Sequence, residues 1–264
     1  RITKKSFKRW NYFLKFSKFI FNKINFCLTS SIISKKYFKK LGVKNLKYLG
    51  NLKFSQSENE KITKFNRLSK IITKKKIWCA SSTHYNEELF CALVHKQLKK
   101  KYKNILTIII PRHVERTPAI MSELSKLDLN ICTHESKNKV HNNVDIYIID
   151  SYGKTKSVYN FCKSVFLGGS LINHGGQNPL EATRYGCNIL HGPFIENFKE
   201  IYDYLEKLKL SSKINNPSEL SSKLENLFLK KNNSKLIQDK LGKIGDKILI
   251  KTYKEIYTLV KNEL

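Results

Sequence analysis

"SVFLGGSLINHGGQNPLEATRYG", residues 164–186, passes from one kind of structure to another within a single stretch. Ser164–Leu167 is a short apolar run of strand type, glycines at 168, 169, 175 and 176 interrupt it, and "NPLEATRYG" has the composition of a helix start. Asn178 suits the N-cap and Pro179 the first helical position, where an amide hydrogen would go unbonded anyway. Gly175 and Gly176 let the backbone approach a ligand closely, and free N–H groups beside the positive end of a helix favour an anion. Leu180 and Glu181 follow. Glu181 is either a capping-box residue returning to the Asn178 backbone or a carboxylate that accepts hydrogen bonds from ribose hydroxyls. A buried strand, a glycine loop and a helix make a βα unit, and strand and helix patterns alternate before and after it.

Strands are predicted at "KIWCAS", "NILTIII", "LNICTH", "VDIYIID", "SVFLGG" and "NILHG". Helices are predicted at "NEELFCALVHKQLKKKY", "RTPAIMSELSKL", "KTKSVYNFC", "NPLEATRYG" and "FKEIYDYLEKLKL", with a wholly helical chain beyond Pro217. Strands alternating with helical patterns predict an α/β domain on a parallel sheet. The first 50 or so residues read differently: "SFKRWNYFLKFSKFIFNK" as one basic amphipathic helix, "INFCLTSS" as a strand, "SKKYFKKLG" as a helix and "KYLGNLKF" as a short strand with a connector. This predicts residues 1–50 as the tail of a preceding domain and 51–264 as the main domain, with the boundary near 50–60. The chain opens at Arg1 inside an amphipathic pattern and reads as part of a longer protein.

The 264 residues carry a formal charge of +29 and 41% hydrophobic residues, which predicts a folded chain attracted to polyanions and anionic lipid surfaces. Six of the 50 basic residues are arginine, and lysine, asparagine and isoleucine are all abundant, so much of the charge reflects an adenine- and thymine-rich coding sequence. No specific nucleic-acid site is expected from it. The six cysteines form no C-x-x-C pair and read as core thiols of a reducing compartment. No apolar run has the ~18 residues of a membrane span. No histidine pair has metal-ligand spacing, so neither a metal site nor a cofactor is expected.

Ligands of open α/β sheets bind beyond the carboxyl ends of the strands. "SSTHYNEE" follows the first predicted strand, "PRHVER" the second, "DSYGK" the fourth and the glycine loop the fifth. Against a background that prefers lysine, Arg112 directly after a strand points to a planar grip on phosphate or carboxylate. Arg116 opens a helix and is ambiguous. Ser82 and Thr83 suit a cap, His84 is undecided, His113 positions its loop, and His95, His134 and His141 are ordinary core or surface residues.

Together these motifs resemble the 3-deoxy-D-manno-octulosonic acid (Kdo) transferases of lipopolysaccharide synthesis. That family's pattern is similar to G-G-S-L-x-x-x-G-G-H-N-P-L-E followed by G-P and N-F; this chain has "GGSLINHGGQNPLE", "GP" at 192–193 and "NF" at 197–198. The family's P-R-H-P-E-R is matched by "PRHVER" and its S-T-H-x-G-E-E by "STHYNEE", and "SFKRW" and "GNLKF" match near the start. The resemblance implies a GT-B glycosyltransferase, with two Rossmann-like domains and the donor CMP-Kdo held by the C-terminal one. It implies CMP contacts at Pro111, Arg112, Tyr152, Gly153, Lys154, Asn178, Pro179, Leu180 and Glu181, with Ser82, Thr83, His84, Gly175 and Gly176 as further donor-loop positions. It also implies a lipid A precursor as acceptor, a place on the cytoplasmic face of the inner membrane, and a glutamate base in an N-terminal domain outside this chain. No catalytic residue is therefore assigned here. Gln177 stands for the family's histidine, Asn86 for a glycine, Lys154 where an acidic residue is common, and Phe194 for the histidine often found after "GP", with His191 nearby. Two alternatives stand beside this reading: another GT-B enzyme with a different sugar nucleotide, and a non-enzymatic polyanion-binding module.

Overall fold

The computed structural model describes residues 2–56, 68, 72, 75–136, 143–231 and 233–263. The chain divides into two compact units, Arg1–Glu58 with Asp239–Leu264, and Asn59–Gln238.

The larger unit is built on a seven-stranded sheet whose paired strands all run parallel. The strands are β3 (Lys76–Thr83), β4 (Ile105–Pro111), β5 (Ile131–Thr133), β6 (Ile146–Ile148), β7 (Ser164–Leu167), β8 (Asn188–His191) and β9 (Ser211–Lys213). Six of them fall on the predicted segments. Their order is β5-β6-β4-β3-β7-β8-β9. The chain thus starts in the middle at β3, builds outward through β4, and returns to the other side of β3 with β7. Such a reversal opens a crevice at the carboxyl ends of β3 and β7.

The apolar strand sequences follow from burial on both faces. In β4, Leu106, Ile108 and Ile110 enter a core with Tyr147, Tyr159, Val165 and Tyr202. Ile105 and Ile109 enter the opposite core, with Trp78, Leu98, Ile120, Phe166 and Leu224. Helix α4 (Glu87–Lys101) supplies Cys91, Val94 and Leu98 to this second core. It is joined there by α5 (Thr117–Leu124) and α9 (Pro217–Leu229). The first core is covered by α6 (Thr155–Tyr159), α7 (Leu180–Arg184) and α8 (Lys199–Lys207). Strand β9 was not foreseen, because "SSK" has no apolar content; it lies at the sheet edge, where polar residues cost little and deter further pairing. The helical chain beyond Pro217 breaks between Leu229 and Ser234 into α9 and α10 (Ser234–Glu263). Asn216 caps α9, its Oδ1 accepting from the Glu219 N–H at 2.9 Å.

In the smaller unit, β1 (Cys27–Leu28) and β2 (Leu46–Lys47) pair parallel around α3 (Ile32–Lys40). The opening segment was expected as one helix and is two, α1 (Lys4–Tyr12) and α2 (Leu14–Phe21). The break lies at Phe13, whose φ of −107° and ψ of 56° leave the helical region, and the buried Ser17 hydroxyl donates to the Trp10 carbonyl. Residues 239–263 of α10 group with this unit. A Cβ on Gly245 would stand 2.4 Å from the Phe54 carbonyl oxygen, and Lys47 reaches Glu255.

At the amino ends of the strands, remote from the loops of interest, Asp145 ties three elements together. It accepts from Lys99 Nζ at 2.7 Å and from the Asn130 N–H at 3.0 Å, and it faces His95 Nε2 at 3.4 Å. His95 is fully buried and also bonded to Thr107, so it is a core residue; His134 bonds the Tyr147 hydroxyl, and His141 lies outside the described residues. Burial alone would raise the Asp145 carboxyl, but the His95, Lys99 and Asn130 hydrogen bonds hold it well below the usual carboxylate range. A depressed folded-state pKa contributes stability that is complete above the unfolded value of about 3.9 and is lost as pH falls through the folded one. In urea titrations at successive pH values, Asp145→Asn is expected to be less stable than wild type at pH 7. Its deficit should narrow steadily below about pH 4.

Candidate functional site

Because every strand of the sheet is parallel, the segments after β3, β4, β6 and β7 emerge along one edge. At the end of β3 the ladder with β4 skips a residue between Ser81 and Thr83, and Ser82 takes a φ of 55°. A bulge of this kind re-aims the chain beyond it. Thr83 pairs with Pro111, and the Thr83 carbonyl accepts from the Arg112 N–H at 2.9 Å. Arg112 is therefore fixed through its backbone to the central strand. Its side chain is exposed and has no hydrogen-bond or ion-pair partner among the described residues.

Arg116, four residues on, has a different fate. Its guanidinium donates to both oxygens of Glu88, at 3.0 and 3.3 Å, and lies 5.8 Å from the Tyr85 ring centre. The Glu88 side chain is 0% exposed, so this pair locks the start of α4 to the loop after β4. The ambiguity over Arg116 is thereby resolved in favour of structure.

Glu87 organises the crevice itself. Its Oε2 accepts from the N–H groups of His84 at 2.9 Å and Gly169 at 2.7 Å, and its Oε1 from those of Ser170 at 3.1 Å and Leu171 at 3.0 Å. Burial opposes a charge here, but these donors together with His84 hold the carboxyl below its ordinary value. The loops after β3 and β7 are thus joined across the point where the strand order reverses. Gly168 is required by the closeness of that join, since a Cβ there would meet the Ser82 oxygen at 2.4 Å and the Thr83 Cα at 2.6 Å. Neither glutamate received a role from the sequence, although both stand in "STHYNEE". The signal available was two adjacent carboxylates at a helix start, where capping alone needs one. Asn86 just before them has a φ of 70°, a left-handed conformation that glycine adopts without strain and asparagine tolerates.

The glycine loop is tied down at several points. The Ser170 hydroxyl donates to the Leu167 carbonyl and accepts from the Gly192 N–H. Gly175 and Gly176 have φ values of 91° and 74°, and Asn197 grips this turn, its N–H donating to the Gly175 carbonyl and its Nδ2 to that of His174. The expected free N–H groups are therefore fewer than foreseen: Gly169, Ser170 and Leu171 donate to Glu87, and Gly176 donates to the Gly169 carbonyl. The cap of α7 is also displaced by one residue. Pro179 is the N-cap, while Asn178 Oδ1 accepts from the Leu180 N–H at 3.3 Å, a bond from a side chain to the amide two residues on. Glu181 is partly exposed on α7, and its charge adds to burial and Cys79 in pushing the Tyr159 phenol up.

Of the remaining positions, Tyr152 is exposed and its hydroxyl donates to Glu115 Oε2 at 3.3 Å, linking the loops after β6 and β4. Gly153 has a φ of 77°, and Lys154 is the N-cap of α6. His84 is buried and lies 4.4 Å from the His174 ring. His191 is buried, bonded to the Gly192 carbonyl and packed on Tyr202, and burial lowers its pKa. Among the described residues no three His, Cys, Asp or Glu side chains are grouped to hold a metal, and no helix is long and apolar enough to cross a membrane.

The family model for 3-deoxy-D-manno-octulosonic-acid transferase (kdotransferase) matches residues 1–56. The chain is 26% identical over 254 residues to the 3-deoxy-D-manno-octulosonic acid transferase of Haemophilus influenzae, covering 95% of this chain and 59% of the relative. It is 30% identical over 241 residues to the enzyme of that name from Rickettsia typhi, covering 89% and 51%. The chain thus spans between half and three fifths of the length of these relatives. The C-terminal CMP-Kdo binding domain of WaaA from Acinetobacter baumannii superposes with a TM-score of 0.60 at 20% identity, over 69% of this chain and 94% of that domain. That likeness establishes the fold, the Rossmann-like α/β arrangement of GT-B glycosyltransferases.

Proposed function

We propose, from the chain's kinship with the Kdo transferases, that it supplies the donor-binding part of a glycosyltransferase that moves Kdo from CMP-Kdo to a lipid A precursor. The observation that carries the reading is the contrast between two arginines at one sheet edge. Arg116 is neutralised by Glu88, whereas Arg112 is anchored by its backbone beside the crevice with its guanidinium uncommitted among the described residues. As the bond between Kdo and the CMP phosphate breaks, negative charge collects on the departing phosphate. A guanidinium already in place meets that charge with a planar pair of donors. Glu181 is assigned to the ribose hydroxyls and Lys154 to the Kdo carboxylate. Pro111, Tyr152, Gly153, Asn178, Pro179 and Leu180 complete the nucleotide contacts. The acceptor hydroxyl must lose a proton as it attacks, and the base that takes it is assigned outside residues 1–264. These assignments fall within the unit Asn59–Gln238, inside the expected donor domain 51–264. An acceptor buried in lipid places the reaction at an anionic membrane surface, to which a chain of charge +29 is drawn. No metal or cofactor enters this scheme.

Calorimetry of the chain with CMP, UMP and AMP tests the site. CMP is expected to bind most tightly, and Glu181→Ala to weaken it by about 1–3 kcal/mol. Arg112→Lys is expected to lose affinity although it keeps the charge, because an ammonium lacks the planar fork. Tighter binding of UMP or AMP than of CMP would favour a different sugar nucleotide. Binding that ignores the base, falls steeply with salt and is indifferent to Arg112 would favour a polyanion-binding module.

A further inference from the structure

The loops at the crevice contain a buried polar atom for which the structure supplies no partner. His84 is 8% exposed, and its Nδ1 lies 3.0 Å from the Ser82 carbonyl oxygen. A carbonyl only accepts, so Nδ1 carries the proton and Nε2 of the neutral ring is an acceptor. Nε2 has no hydrogen-bond partner among the described residues. A buried acceptor left unpaired is costly, and each such atom calls for a partner. Gly169 lets the side chains around the ring close in: a Cβ there would stand 3.1 Å from His84 Cε1, 3.2 Å from His174 Cδ2 and 3.4 Å from Gln177 Nε2. What lies over the imidazole is the ring of His174, an exposed residue followed by two glycines of positive φ.

We propose that His84 Nε2 accepts a hydrogen bond from a hydroxyl of the donor's sugar, and that Glu87 is the residue that positions it. The placement follows from the strand edge. The Thr83 carbonyl holds the Arg112 N–H, so His84 directly follows the residue that anchors the group assigned to the phosphate. The sugar is joined to that phosphate and lies on the crevice side, while Glu181 takes the ribose. Glu87 acts through the backbone: one of its oxygens holds the N–H groups of His84 and Gly169 together, which sets both the imidazole and the glycine beside it. Glutamine cannot replace it, because an amide would turn two donors toward two of the four N–H groups.

The test compares CMP with CMP-Kdo in calorimetric titrations of the full chain. Wild type is expected to bind CMP-Kdo more tightly than CMP. His84→Phe keeps a ring against His174 but removes both nitrogens. It should leave CMP affinity within about twofold and weaken CMP-Kdo about tenfold, the loss of one buried hydrogen bond. Glu87→Gln should reproduce that selective loss, and the double variant should be no weaker than either single one. If Glu87→Gln does not fold, Glu87→Asp makes the same comparison, since it keeps the charge but shortens the reach. CMP-Kdo binding untouched by His84→Phe, or CMP binding weakened equally, overturns the sugar contact. Losses that multiply in the double variant overturn the positioning role of Glu87. The inference rests on the donor-site reading, and the outcomes separate the two. A wild-type chain that binds neither ligand overturns both. CMP binding that depends on Arg112, with CMP-Kdo binding indifferent to His84, overturns this inference alone.

Discussion

Arg116→Ala is expected to destabilise the fold by about 3–5 kcal/mol, and by more than Glu88→Ala does. The reason is an asymmetry of burial. The Glu88 side chain is 0% exposed and that of Arg116 is 25% exposed. Removing the glutamate leaves a guanidinium that can turn toward water and keep its contact with Tyr85. Removing the arginine strands a carboxylate with no access to solvent, the costlier of the two defects. Urea unfolding at pH 7 measures the difference. The double variant should cost less than the sum of the single ones, because the two residues act as a pair. Equal costs for the two single variants, both within about 0.5 kcal/mol of wild type, would mean that the pair is no more than a surface contact.

Gly168→Ala is expected to cost about 3 kcal/mol, at the upper end of what overpacking a close contact does. The added methyl would meet backbone atoms of Ser82 and Thr83 at 2.4 and 2.6 Å, and neither can swing aside as a side-chain end does. In a unit of this size such a loss lowers the melting temperature by roughly 6–12 °C. Gly153→Ala is the control. Gly153 has a φ of 77° but open space where the Cβ would go, so only the backbone preference counts, about 1 kcal/mol. A Gly168 variant that melts with the Gly153 variant would show that the β3 and β7 loops separate easily. CMP-Kdo binding by Gly168→Ala should fall along with stability, since the methyl pushes apart the two loops that Glu87 holds together.

The alternation of apolar and helical segments was sufficient to place six strands of the main sheet and to set the notable clusters at their carboxyl ends. Side-chain periodicity is a local property, and a strand buried on both faces, such as "NILTIII", declares itself in its own residues. The same reasoning singled out Arg112, because an arginine after a strand stands out in a lysine-rich chain. It also joined what the fold separates: a helix written as one over residues 6–23 turns at Phe13, where no proline or glycine marks the break.

The strand order, the cap at Pro179 and the fates of Glu87, Glu88 and Arg116 were decided by the tertiary structure alone. Glu87 bonds amides 82, 83 and 84 residues away, and Arg116 meets a carboxylate 28 residues earlier. No pattern within a window of ten or fifteen residues carries that information. In sequence the two glutamates are equivalent neighbours at a helix start, one helical position apart. Folding turns one toward the glycine loop across the crevice and the other toward the loop after β4. A helix separates adjacent side chains by about 100°. What each carboxylate then neutralises depends on which segment the parallel sheet brings to that side, and the sheet settles this only once β7 has come to lie beside β3.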